Sequence, residues 1–404
     1  MKILMITQWF DPEPTFKGLF FAKELVNQGH QVEVITGFPN YPGGKLYDGY
    51  KIKLKQVEFI DGIKVTRVPV YPSHDNSAMK RILNYTSFFL SSFFCALFKA
   101  QKFDVIYAYH PPLTTSLSAT LIGKIKRIPV VVDIQDLWPD TLAATGMLNN
   151  NAVLKLISKV CTLTYKLSTH LVVLSDGFKQ ELTSRGVPKE KITVIHNWCN
   201  EESLIPKGIC KHQLPKDGFN VVFAGNIGLA QGVNAIVESA VHLKKMNSKA
   251  NIVFVGDGVL LEDAKTTAIK LNLENIFFIP RVPMNDVADL LYAADSLLVH
   301  LSKNKLFEIT IPSRTQAYLC VGKPIIMGVE GDAKLLIEKS LSGYCCESDN
   351  PESLANTINK LSILPVSELD ALSKNAKEFY NKELSLKVGV SKFITLFERV
   401  TNNA

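Results

Sequence analysis

Short apolar runs that stop at a glycine or a polar residue punctuate the whole chain. In the first half they fall at Ile3–Thr7, Gln31–Thr36, Ile63–Val68, Val105–Tyr109, Val130–Ile134, Leu171–Leu174 and Thr193–Ile195. Near-continuous apolar strands separated by helix-length stretches favour a parallel sheet with crossover helices. Phe20–Gly29 is one such helix, and Gly29 is a suitable stop. Across Glu201–Gly218 the pattern dissolves into Glu, Pro, Lys and Gly, which predicts a linker. The pattern restarts with Val221–Phe223, Ile252–Val255, Ile276–Ile279, Ser296–Val299 and Pro324–Met327, then closes in helical segments through Leu354–Leu361 and Val388–Val400. The expected architecture is α/β, with two Rossmann-like, doubly wound domains facing a cleft. Residues 1–200 form the first domain, 201–218 the linker, 219–384 the second domain, and 385–404 a helix crossing back to the first. Ligands then belong at the C-terminal ends of the strands.

One segment departs from this rhythm. Arg81–Gln101 carries Phe89, Phe93, Phe94, Leu97 and Phe98 on a broad face bracketed by Lys80, Arg81, Lys99 and Lys102. Such a face reads either as an interfacial helix docking on a membrane or lipid-linked molecule, or as a core helix packing on the sheet. Both hold if different faces do different work.

Composition narrows the class. A chain of 404 residues exceeds one ordinary core, and 47% hydrophobic with 21% charged residues is globular. The net charge of +7 is lopsided: residues 1–200 carry 23 Lys/Arg against 15 Asp/Glu, residues 201–404 carry 22 against 23. The first half therefore faces an anionic partner, such as a membrane surface or a phosphorylated lipid. Scattered lysines without a recognisable module argue against nucleic acid. The seven cysteines show no C-x-x-C or paired metal spacing, which reads as small core residues of a reducing compartment. The first apolar run is too short for a signal peptide, and no stretch reaches the ~20 apolar residues needed to span a bilayer. The expectation is a cytoplasmic protein.

The chemistry concentrates in the second half. Val221–Ala224 breaks at Gly225-Asn226-Ile227-Gly228, and Ile252–Val255 breaks at Gly256-Asp257-Gly258. Glycines at strand ends let backbone N–H groups approach an anion at the following turn or helix start. Ile311-Pro312-Ser313-Arg314 then supplies a guanidinium whose fork suits a diphosphate. The ligand class this names is a nucleoside diphosphate.

Taken in order along the chain, these motifs resemble GT-B glycosyltransferases of family four, the retaining group. They are most similar to bacterial O-antigen and capsule transferases that include N-acetyl-L-fucosamine transferases. The resemblance begins at Gln8-Trp9-Phe10-Asp11-Pro12-Glu13-Pro14 with Lys17-Gly18, and continues through Tyr109-His110-Pro111-Pro112 and Asp133-Ile134-Gln135-Asp136-Leu137-Trp138-Pro139-Asp140. It then takes in Ala224–Gly228 with Gln231-Gly232, Ile311–Gln316 and Gly322-Lys323-Pro324. Two departures stand out. Asn226 and Gln231 occupy places where many members carry Arg and Lys. The ribose-binding glutamate of the family falls on Ala317, beside Gln316, and the first of the glutamate pair falls at Ile309, beside Glu308.

The resemblance implies transfer from a UDP-sugar to a polyprenyl-diphosphate-linked acceptor, with no metal or other cofactor and with the protein peripheral on the inner membrane face. No D-x-D is present, so the carboxylate pair usual in metal-dependent transferases is lacking. His110, ending an apolar strand before two prolines, is expected at the transferred sugar, where a neutral imidazole steadies developing charge. Asp136 is a candidate for the acceptor's hydroxyl, and Asp140 is either a second such group or a helix cap. Arg314 is expected on the diphosphate, where charge stabilisation of the leaving group is the main catalytic effect. Lys303, Lys305, Gly225, Gly228 and Ser313 lie around it, Glu308 is a candidate for donor-sugar hydroxyls, and Gln316 for the ribose. Gly18 is expected under the phosphate or sugar, and Arg281-Val282 at the nucleobase. Two other readings stay open: a sugar-nucleotide epimerase, which needs no lipid acceptor, and a non-catalytic GT-B scaffold.

Overall fold

The structure, a computed structural model, describes residues 1–73, 78–144, 148 and 150–403. The chain divides into two units, Met1–His196 with Gly389–Ala404, and Asn197–Val388. The first holds β1 (Lys2–Ile6), β2 (Gln31–Gly37), β3 (Gln56–Ile60), β4 (Ile63–Val68), β5 (Val105–His110), β6 (Val130–Ile134), β7 (His170–Val173) and β8 (Ile192–Val194). Its sheet runs β3-β4-β2-β1-β5-β6-β7-β8. Every pairing is parallel except the edge pair β3–β4, which is antiparallel. Helices α1 (Leu19–Asn27), α2 (Ala78–Lys99), α3 (Leu113–Lys126), α4 (Asp140–Ala144), α5 (Asn151–Leu167) and α6 (Asp176–Ser184) make the connections. All six residues of β5 are buried, as a central parallel strand covered on both faces requires.

The second unit carries a six-stranded, wholly parallel sheet in the order β11-β10-β9-β12-β13-β14. The strands are β9 (Phe219–Asn226), β10 (Ala250–Asp257), β11 (Ile276–Ile279), β12 (Ser296–His300), β13 (Ile325–Gly328) and β14 (Gly343–Cys345). Around them lie α7 (Val233–Lys245), α8 (Leu261–Lys270), α9 (Met284–Ala293), α10 (Lys305–Glu308), α11 (Ser313–Val321), α12 (Asp332–Ser340), α13 (Pro351–Ser362) and α14 (Val366–Phe379). Alternate strand residues feed opposite faces. Val222, Val253 and Leu297 join one core cluster, while Val221, Phe223, Ile252 and Phe254 join the other.

Residues 201–218 are not a free linker. Leu204 is buried in the second unit's core, and the amides of Lys207, Gly208, Ile209 and Cys210 all donate to the Asp289 carboxylate at 2.8–2.9 Å. Those donors, Gly208 and Cys210 foremost, hold the carboxyl below the usual range. Local backbone bonds to one side chain fix an extended segment that has no hydrophobic period. The last helix, α15 (Leu386–Asn402), runs into the first unit, where the Phe393 ring packs edge-on against Phe21 and Tyr107.

Helix α2 shows two faces. Asn84, Phe88, Ser92 and Ala96, spaced by four, are buried, and Ser92 Oγ donates to Ser118 Oγ of α3 at 3.1 Å. Leu90, Phe94 and Phe98 are exposed on the other side. The core reading thus describes the inner face. Met79–Lys99 is also long and apolar enough to cross a membrane, contrary to the sequence expectation that no stretch is. Asn84 on its packed face bonds Gln8 and the Tyr71 carbonyl, which ties the helix to the sheet.

Candidate active site

In the first unit, functional candidates gather where β1, β5 and β6 end. The loop after β1 is held from beneath. Glu13 accepts from the amides of Phe10, Asn40 and Tyr41 at 3.2, 2.8 and 2.8 Å. Burial pushes its carboxyl up to about 7 even against those donors. Lys17 is fully buried and places Nζ 2.5 Å from Asp133 Oδ2, an atom that also accepts from Tyr107 Oη at 2.7 Å. Burial lowers the lysine's pKa and the Asp133 charge opposes that shift. A buried pair with extra hydrogen bonds fixes geometry more than it adds stability. It delivers Gly18 to the start of α1, where Asp11 Oδ2 accepts from the Leu19 amide at 2.7 Å. A Cβ on Gly18 would stand 2.4 Å from that same oxygen and 2.3 Å from Thr15 Cγ2, so a side chain there would push both of those groups aside.

His110 is the last residue of β5 and is fully buried. Among the described residues neither ring nitrogen has a hydrogen-bond partner, and the ring sits edge-on to Trp138 with centroids 5.6 Å apart. Burial lowers its pKa to about 4, so the imidazole is neutral at ordinary pH. A buried polar group without a protein partner marks a place that a ligand or solvent must satisfy. Asp136, two residues beyond β6, is half-buried, and burial raises its carboxyl above the usual range. Asp140 instead opens α4 and pairs with Arg185 Nη2 at 2.7 Å, which is a structural role.

In the second unit, β9 and β10 run in register to Gly225↔Gly256. Gly256 has φ +149°, and a Cβ there would meet Gly225 O at 2.0 Å. Two glycines side by side are what lets these strand ends lie so close. A Cβ on Gly225 would meet Arg314 Nη2 at 3.2 Å, so the guanidinium lies directly over that backbone. Arg314 stacks on the Phe223 ring at 4.3 Å, and its buried Nη1 has no hydrogen-bond partner among the described residues. Tyr318 props the assembly from below by accepting from the Ala224 amide at 3.0 Å. Pro312 and Ser313 start α11, so Arg314 projects from its first turn.

The turn after β9 is closed by polar side chains rather than cations. Gln231 Oε1 accepts from the Gly228 amide at 3.2 Å and from Asn226 Nδ2 at 3.4 Å. The other candidates stand on neighbouring elements, and the segment before α10 is tied to the turn after β9 by the Ser302 amide donating to the Ala230 carbonyl at 2.9 Å. Lys305 opens α10, whose cap is Asn304, and Glu308 ends it with its carbonyl against Gly331. Arg281 is exposed just beyond β11, and Val282 packs on the core. Gln316 departs from expectation: it is 3% exposed, and with its amide turned so that both ends are satisfied its nitrogen donates to the carbonyls of Pro312 and Ser313 at 2.9 and 3.0 Å. Its position on α11 turns it inward, toward the first turn of its own helix.

Residues 21–198 match the glycosyl transferase 4-like domain, and residues 207–379 match the glycosyl transferases group 1. The chain is a GT-B glycosyltransferase. Among its relatives is a protein named as colanic acid biosynthesis glycosyl transferase WcaI, from Escherichia coli strain K12. It is 26% identical over 386 residues, covering 90% of this chain and 93% of the relative. Glycosyltransferase WbjE of Pseudomonas aeruginosa is 24% identical over 300 residues, covering 72% and 74%. The structure of Anabaena HepE in complex with UDP shares the fold at a TM-score of 0.70 and 15% identity, covering 99% and 100% of the two chains.

In this GT-B glycosyltransferase the sequence reading passed over His300. It ends β12 and is buried, with Nδ1 2.8 Å from the Gln231 carbonyl and Nε2 without a partner among the described residues. The ring packs under Gly232, whose added Cβ would meet it at 2.5 Å, and so fixes the turn that carries Gly228. A histidine ending a buried apolar strand was the available signal, the same one that marks His110. Among the described residues, no three His, Cys, Asp or Glu side chains are grouped to hold a metal ion.

Proposed function

We propose that this enzyme is a retaining, metal-independent transferase of surface-polysaccharide assembly. It moves a sugar, an N-acetylated 6-deoxyhexosamine such as L-FucNAc, from a UDP donor to a polyprenyl-diphosphate-linked saccharide. The protein works peripherally on the inner face of the bacterial cytoplasmic membrane. The observation that carries the donor half is Arg314, a guanidinium laid over the Gly225 backbone with Nη1 unpaired. A diphosphate is the anion a planar fork beside backbone amides suits, and charge placed before the bond breaks lowers the barrier most. In the first unit, His110 as a neutral imidazole hydrogen-bonds the transferred sugar, and Asp136, its basicity raised by burial, receives the acceptor hydroxyl. The leaving diphosphate assists removal of the acceptor proton on the same face of the sugar. The names of WcaI, a colanic acid transferase, and of HepE bound to UDP support the pathway class and the nucleotide.

The deciding experiment mixes the purified protein with a panel of nucleotide sugars, with and without a short lipid-diphosphate-GlcNAc acceptor, in buffer containing EDTA. The expected outcome is acceptor-dependent UDP release and a mass-shifted lipid for one donor. Isomerised nucleotide sugar in the absence of acceptor would replace this reading with an epimerase.

A further inference from the structure

The exposed side of α2 continues into its neighbours. Lys99, near the end of α2, donates to Thr66 Oγ1 of β4 at 2.7 Å and reaches Glu33 of β2 at 3.4 Å, which fixes the sheet face this helix covers. In the antiparallel β3–β4 pair, Val57 stands opposite Thr66 and Phe59 opposite Lys64. Directly opposed residues point to one side of a sheet, so Val57 and Phe59 share the face that α2 covers. Arg67 and Glu58 pair at 2.5 Å on the other face, as the period of two demands. Phe59 is 70% exposed there, next to an α2 whose Phe98 is 83% exposed. Leading into β3, Lys51-Ile52-Lys53-Leu54-Lys55 is exposed throughout, and Leu54 is 92% exposed.

A single exposed leucine or phenylalanine needs no explanation, but a run of them across three adjoining elements does. The lysines choose the occupant. Lysine is depleted at the cores of protein–protein interfaces, whereas lysine alternating with aliphatic and aromatic side chains suits the headgroup and acyl boundary of an anionic bilayer. Guarding an open sheet edge would explain lysines near β3, yet it gives no reason for Ile52 and Leu54 to face solvent.

We infer that the outer face of α2, the edge strand β3 and the Lys51–Lys55 segment together form the surface on which the first unit docks to an anionic lipid bilayer. Leu54, Phe59 and Phe98 enter the acyl boundary while Lys51, Lys53 and Lys55 lie among the headgroups. This deepens the membrane-peripheral part of the function proposed above and rests on that part alone.

The test floats the full chain on vesicles of phosphatidylcholine alone and of phosphatidylcholine with one third phosphatidylglycerol. The wild type is expected to bind the anionic vesicles and to leave the neutral ones. Neutralising Lys51, Lys53 and Lys55 to Gln together is expected to weaken binding by about a hundred-fold, at about five-fold per lysine. Leu54→Ser with Phe98→Ser is expected to release the protein from anionic vesicles without changing its melting temperature, since both side chains are exposed. The inference falls if the wild type ignores anionic vesicles, or if both variants bind as the wild type does. It also falls if the wild type ignores vesicles but self-associates in solution and Phe98→Ser abolishes that, which would make the face an interface between copies. Sugar transfer to a water-soluble acceptor in vesicle-free buffer separates the two proposals. Vesicle binding without any turnover overturns the transferase reading and leaves the docking surface standing.

Discussion

Arg314 concentrates what the second unit can do. Its charge is half-buried against Phe223, burial pulls its pKa down, and no carboxylate pairs with it among the described residues. An anion at the end of β9 would relieve that cost, which is the physical reason a diphosphate fits. Arg314→Ala is therefore expected to lower kcat/KM for the donor by about 10²–10³, the loss typical when one stabilising donor is removed. Arg314→Lys keeps the charge but not the planar fork and recovers only part of it. Calorimetry with UDP checks the same claim without acceptor, and an Arg314→Ala protein that still binds UDP as the wild type does would refute it. His110 behaves differently because it is neutral. With a pKa of about 4 it adds no inflection near pH 6.5 to the pH–rate profile. His110→Ala is expected to cut kcat by about a hundred-fold, within the range for a positioned proton or hydrogen-bond partner, and an unchanged kcat would remove the residue from the site. The residue scale was also where sequence reading was least complete. Arg314 and His110 were legible because a polar residue at a helix start or strand end has few structural excuses. Gln316 and His300 were not, since inward or outward facing depends on neighbours that only the packed sheet supplies.

Elements were easier to read than residues, for a reason visible in the strands themselves. β1, β5, β6, β9 and β10 are buried on both faces and so are written as continuous apolar runs. β3 escaped because it is a half-exposed edge, Gln-Val-Glu-Phe-Ile, whose pattern is weak over five residues. β14 escaped because it has only three. The segment 201–218 has the sequence of a linker because four amides bonded to one aspartate leave no trace in hydrophobic periodicity. The pairing of β9 with β10 makes its own prediction. Gly256→Ala puts a Cβ against the Gly225 carbonyl and forces φ +149° on a residue that disfavours it. Backbone strain and overpacking together are expected to cost about 2–4 kcal/mol. Gly43→Ala, where an added Cβ meets nothing within 4 Å, is expected to stay within about 0.5 kcal/mol of wild type. Equal urea midpoints for the two variants would show that the strand ends are not as tightly apposed as described.

At the scale of the first unit, buried titratable groups set how the fold responds to acid. His110 and His170 are both pushed by burial from an ordinary 6.5 to about 4. His170 Nε2 faces Arg399 Nη2 at 3.2 Å, a donor that an unprotonated ring nitrogen accepts and a protonated one repels, and Thr193 Oγ1 at 2.8 Å. Between pH 6.5 and 4 the unfolded chain therefore holds more protons than the folded unit at these two sites. Their contribution is complete above 6.5 and is lost as pH falls toward 4. Glu13 acts in the opposite sense. Its carboxyl rises from 4.5 to about 7, so the folded unit binds the extra proton there and gains stability as pH falls through that window. Asp11 and Asp136, whose carboxyls burial also raises, act in the same sense as Glu13, so the histidine contribution is isolated by comparing the wild type with a His170 variant. Trp9 and Trp138, two of the chain's three tryptophans, lie in this unit, so tryptophan fluorescence reports its unfolding. Between pH 7 and pH 5 the urea midpoint followed this way is expected to fall more, or rise less, in the wild type than in His170→Gln, since only the wild type carries the His170 penalty. Equal changes in the two proteins would mean that the His170 ring is not held neutral by burial.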